Sequence, residues 1–156
     1  MSGVTTPSLT DAPIRSSLAL TRRWTALLEP PTFAGRSLWL TWLGTDGRQS
    51  PVLLPVDDVP AVPDRRLLSG LLDLHTEVAP HLGGDDVHLA MALCRPGEPV
   101  QTEDDAEWAC ALHEVLDDAL DATWSLHLAA DGRVESLVEA PGFFLRVAAH
   151  AGKGAR

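Results

Sequence analysis

Apolar residues recur along this chain with two periods, and the switches between them divide it into elements. Over Ile14 to Leu28 the residues Leu18, Leu20, Trp24, Leu27 and Leu28 fall at helical spacing, and Pro30 and Pro31 close the segment. The pattern then changes to alternation. Ser37 to Gly44 sets Leu38, Leu40 and Trp42 against Trp39 and Thr41, which predicts a strand with the two tryptophans on opposite faces. Asp46-Gly47 is a hairpin turn signal, and Pro51 to Val56 is the returning strand. Its two prolines cannot donate to a ladder, so it belongs at a sheet edge.

A second helix is predicted from Pro63-Asp64 to about Val78, with Leu67, Leu68, Leu71, Leu72 and Val78 on one stripe and Pro80 and Gly83-Gly84 as its stop. Val87 to Cys94 is apolar almost throughout, as a central strand covered on both sides must be. One face carries Val87, Leu89, Met91 and Leu93, the other His88, Ala90, Ala92 and Cys94. The Gly/Pro loop Arg95 to Gln101 leads into the clearest helix, Thr102 to about Leu120, whose apolar arc runs through Trp108, Ala109, Leu112, Val115, Leu116, Ala119 and Leu120. Thr102 with Asp105 resembles a capping box. Thr123 to Ala129, an Asp131-Gly132 turn and Val134 to Val138 form a closing hairpin.

Helices alternating with strands in this order predict an α/β fold, a single domain with a mixed β-sheet flanked by helices. The boundaries expected are a flexible N-terminal arm over 1–13, one domain over 14–138 and a C-terminal tail over 139–156. That tail contains an apolar patch, Pro141 to Val147, free to dock as a strand or helix or to bind another chain.

Composition narrows the function classes. A chain of 156 residues, 45% hydrophobic and 22% charged, suits one soluble domain. Its net charge of −10 repels phosphate backbones and anionic bilayers, so neither nucleic acid nor membrane is an expected partner. Two cysteines, Cys94 and Cys110, are too few for a disulfide framework, and the first residues lack a signal-peptide pattern. A cytoplasmic location follows as the expectation.

The loop after Cys94 is the expected place for a site, because α/β proteins put their chemistry where a buried strand ends beside a helix N-terminus. Glu98, Glu103, Asp104, Asp105 and Glu107 crowd that helix end, which argues against a phosphate and suits a helix dipole. Asp105 lies on the inward side of the helix, either as a capping carboxylate or as a metal ligand beside Cys94. Cys110, His113 and Asp117 stand at i, i+3 and i+7 on one flank, a spacing that permits zinc, while a solvated His113–Asp117 pair is the plainer reading. The remaining histidines, His75, His81, His88, His127 and His150, are scattered, and no nucleophile elbow or phosphate loop occurs.

From Ser37 to about Val138 the order and spacing of elements resemble the JAB (MPN) domain, in particular its RadC-like branch. In that family a strand ends in His-x-His-Pro-x-Gly, and a Ser and an Asp follow at the start of the next helix. The histidines and the aspartate hold the metal, and a glutamate on an earlier strand is the general base. The run here is Ala92-Leu93-Cys94-Arg95-Pro96-Gly97, followed by Pro99, Thr102 and Asp105. Gly97, Pro99, Thr102 and Asp105 match the pattern, Ala92 and Cys94 stand where the histidines would be, and the strand from Pro51 to Asp57 offers no glutamate.

The resemblance implies a JAB/MPN-like (cytidine-deaminase-like) core over 37–138 that has kept the scaffold and lost the reaction. No cofactor is then expected, and the function implied is binding of a protein partner, with a second copy of the chain among the candidates. Glu103, Asp104 and Glu107 would form an acidic rim for that partner, and Phe143 and Phe144 an apolar contact. Two alternatives remain at this stage. One is a metal-dependent hydrolase built from Cys94, Asp105 and a histidine such as His113, and the other is a small-molecule sensor using a pocket at the strand ends.

Overall fold

A computed structural model describes residues 12–83, 86–120 and 123–154, and no helix among them is long and apolar enough to cross a membrane. In order they form α1 (Ser17–Leu27), β1 (Ser37–Leu43), β2 (Gln49–Asp57), α2 (Arg65–Leu82), β3 (His88–Cys94), α3 (Glu103–Ala119), β4 (Trp124–Ala130), β5 (Arg133–Val138) and α4 (Pro141–Gly154). The strands make one mixed sheet in the order β2-β1-β3-β4-β5, in which only the β3–β4 pair is parallel. That pair is joined through α3, as a parallel connection requires.

The alternation along β3 sets the three layers. Leu89, Met91 and Leu93 enter a core with Leu68 and Leu71 of α2 and Trp108, Leu112 and Leu116 of α3. Ala90, Ala92 and Cys94 enter a second core with Leu20 and Trp24 of α1 and Phe143, Phe144 and Val147 of α4. Small side chains on that face let the aromatic residues of α1 and α4 approach the sheet. Trp42 belongs to the first core and Trp39 packs against the second, so the two tryptophans of β1 do face opposite sides.

The edge position expected for the proline-bearing strand is observed, since β2 is outermost and its Pro51 and Pro55 are exposed. At the hairpin before it, Gly47 has φ +83 and its carbonyl accepts from Ile14 N–H at 2.7 Å. A Cβ at residue 47 would stand 2.4 Å from the Ile14 carbonyl oxygen, so only glycine permits this closure.

Three expectations need correction. The second helix does not stop at Pro80 but runs to Leu82, where the Gly83 N–H caps it on the Ala79 carbonyl. A proline this near the end removes one intrahelical hydrogen bond, and the partly buried Leu82 packs against the core beyond it. The segment 139–156 is not a tail appended to the domain. Its α4 closes one face of the sheet, with Phe143 and Phe144 only 2% and 7% exposed, so this aromatic pair is core rather than a contact for another chain. Of the expected N-terminal arm, residues 1–11 lie outside the described residues, and Ile14 just after it is buried.

Candidate functional site

β3 ends by handing the chain to Arg95, whose N–H still bonds the Ala129 carbonyl of β4 at 3.1 Å. Because side chains alternate along a strand, Cys94 and Arg95 leave it on opposite faces. Cys94 joins the core under α1 and α4, while Arg95 reaches the N-terminus of α3 and meets Asp105. The pair is sealed, Arg95 being 2% exposed and Asp105 0%.

Every donor of the guanidinium has an acceptor. Nε bonds Asp105 Oδ1 and Oδ2 at 2.9 and 3.2 Å, and Nη2 bonds Asp105 Oδ2 at 2.7 Å and the Val100 carbonyl at 2.9 Å. Nη1 bonds the carbonyls of Pro96 and Glu98, both at 3.0 Å. The loop from 95 to 100 is therefore wrapped around its own first side chain. Gly97 takes φ +98, close above Arg95 Nη1, in a conformation that other residues adopt with difficulty.

Asp105 is equally committed. Its Oδ2 also accepts the Thr102 N–H at 2.9 Å, while Thr102 Oγ1 accepts the Asp105 N–H at 3.2 Å, which completes the capping box expected from the sequence. Burial alone would raise the Asp105 carboxyl, but the Arg95 guanidinium and the Thr102 groups outweigh it and hold it below the ordinary carboxylate range. The same hydrogen bonds to Asp105 raise Arg95 against the effect of its own burial.

The residues proposed as metal ligands are not brought together. Cys94 lies on the far face of the sheet from α3, Asp105 is held by Arg95, and His113 is on the exposed flank of α3. Among the described residues no group of three or more His, Cys, Asp or Glu is placed to share a metal ion. His113 Nδ1 instead pairs with Asp117 Oδ2 at 2.8 Å, Asp117 Oδ1 accepts from Trp124 Nε1 at 2.9 Å, and the His113 ring meets the Trp124 ring edge-on. The hydrogen bonds from His113 and Trp124 draw the Asp117 carboxyl down. Of the acidic rim, Glu103 and Glu107 are exposed and Asp104 is half-buried.

The two thiols differ sharply. Burial pushes Cys94 up to about 12, against a smaller opposing effect of a hydrogen bond with Ser37, whereas Cys110 is exposed. A maleimide reagent is expected to label one cysteine in the native protein and both in denaturant, and Cys110→Ser should abolish the native labelling. Native labelling that survives in Cys110→Ser would show that the sheet opens readily at Cys94.

Two features were not found from the sequence. His88 bonds Thr123 Oγ1 and Ser125 Oγ at 2.7 and 2.8 Å and stacks on Phe143 with ring centroids 4.4 Å apart. His127 Nε2 lies 2.8 Å from Thr21 Oγ1 of α1. That hydroxyl also lies 3.1 Å from the Ser17 carbonyl, so with its one proton given there Nε2 would donate to it, and among the described residues Nδ1 has no hydrogen-bond partner. Both imidazoles are neutral, with burial pushing His88 down to about 3, helped by His127 and Arg146, and His127 down to about 4. The signal available was their placement on the small-residue face of paired strands, but that pattern does not distinguish a buried imidazole from an exposed one.

Against known proteins, no family model matches this chain, and no curated protein and no solved structure is significantly similar to it.

Proposed function

We propose that this protein is a noncatalytic JAB-like domain that works by binding another protein, and that Arg95 supplies internally the positive charge that a metal supplies in catalytic members. The observation that carries this reading is the saturation of Asp105. A carboxylate that accepts from a guanidinium and a backbone amide, with no exposure, offers no open approach to an ion or to a water proton. In the resemblance to the JAB family this aspartate would be a metal ligand, and here its partner is the arginine that directly follows Cys94. The order hairpin, helix, strand, loop, capped helix, strand supports the same reading.

Surface features favour a protein partner. Leu18 of α1 and Leu145 of α4 are 58% and 72% exposed on the helices that share one layer, and the acidic first turn of α3 suits a basic surface. Elemental analysis of purified protein is expected to find no stoichiometric zinc, and a chelator should leave the melting temperature unchanged. Light scattering then distinguishes a self-associating chain from one that needs a different partner. Stoichiometric zinc whose removal lowers the melting temperature would overturn the noncatalytic reading.

A further inference from the structure

Ser37 is in register with both Asp57 and Cys94, so the start of β1 and the ends of β2 and β3 meet at one end of the sheet. Two clefts of about 450 and 470 Å³ open there, and Arg36 lines both. The second is bounded by the Arg95 loop, whose own cation is already satisfied. The first is lined by Phe33, Arg36, Trp39, Asp57 and Asp58 among others.

The charged groups of this first cleft are unmatched. Among the described residues no ion pair includes Arg36, Asp57 or Asp58, and Arg36 Nη1, itself shut from solvent, has no hydrogen-bond partner among them. Two carboxylates beside one guanidinium, on a chain of net charge −10, disfavour a simple anion, so a ligand that fits must bring a cation as well. Phe33 and Trp39, both half-buried, supply aromatic surface for an apolar body.

We propose that this cleft binds a free α-amino acid with a large apolar side chain, its carboxylate on Arg36, its ammonium toward Asp57 and Asp58, and its side chain against Phe33 and Trp39. The proposal goes beyond the protein-binding reading, because the ligand is a small molecule and no partner chain is needed. A volume of about 450 Å³ is in the range of small-molecule sites.

Calorimetric titration of the full chain with L-phenylalanine, 3-phenylpropionate and phenethylamine tests the match of charges separately from the match of shape. L-phenylalanine is expected to bind saturably at one site, and each singly charged analogue at least about tenfold more weakly. Arg36→Gln should weaken L-phenylalanine by about tenfold or more without lowering the melting temperature of the ligand-free protein, since it removes an unpartnered buried donor. Asp58→Asn should weaken the amino acid while leaving 3-phenylpropionate unchanged or tighter. Absence of saturation with L-phenylalanine, an analogue that binds as tightly, or undiminished binding by Arg36→Gln would each overturn the proposal. Those results are separate from zinc analysis, which alone decides the noncatalytic reading.

Discussion

Asp105→Leu is expected to lower the unfolding free energy by about 3–5 kcal/mol, measured by urea denaturation at neutral pH. The magnitude follows from what the substitution leaves behind. Arg95 would remain 2% exposed with three of its contacts to Asp105 gone, and the Thr102 N–H would lose its cap. Arg95→Leu should cost a similar amount, because it strands a buried carboxylate and also the carbonyls of Pro96, Glu98 and Val100. The double variant should be much less destabilised than the sum of the singles, since the second change removes the uncompensated charge created by the first. Single variants within about 1 kcal/mol of wild type, or additive losses, would show that the pair is not the lock on this loop.

Acid is expected to begin destabilising the protein before its carboxylates titrate. His88 and His127 are held neutral at about 3 and 4 in the fold, while in the unfolded chain each titrates near the ordinary value of 6.5. Below that value the unfolded state binds protons that the folded state refuses, so stability falls as the pH falls. Each group contributes up to about 1.4 kcal/mol per pH unit, so between pH 6.5 and 5 the two together remove about 3 kcal/mol. Asp105 adds to the loss only later, as the pH falls below the ordinary carboxylate range toward its depressed folded value. His127→Gln should flatten the slope of stability against pH between 6 and 4.5 by about one proton. A slope unchanged by that substitution would mean that His127 is reached by solvent.

The elements themselves were legible because each has a local cause. The capping box at Thr102 and Asp105, the Asp46-Gly47 and Asp131-Gly132 turns and the two-faced pattern of β3 all act through neighbours in sequence, and the structure contains each of them. Pro80 misled because a proline stops a helix only where the lost bond is not offset by burial further on, and burial is a tertiary quantity. Phe143 and Phe144 misled for a related reason. An apolar patch near a chain end looks the same whether its complement is another protein or the alanine face of its own β3.

The candidate site was legible in place but not in content. Asp105 was recognisable as an inward-facing cap, yet its partner lies ten residues back across a loop, and nothing in that spacing requires an arginine to turn inward. Only the alternation of Cys94 and Arg95 at the end of a fully buried strand sends the thiol to one layer and the guanidinium to the other.

The amino-acid sequence thus determined by itself the succession of helices and strands, the central and edge strands, and the acidic cap of α3, because these depend on periodicity, proline geometry and charges a few residues apart. The tertiary structure alone decided which charges meet. It closed Asp105 with Arg95, buried two neutral imidazoles beneath α1 and α4, and set Arg36, which has no ion pair among the described residues, in one cleft with Asp57 and Asp58. Those outcomes depend on the dielectric and the distance between groups far apart along the chain, and both exist only once the layers have packed.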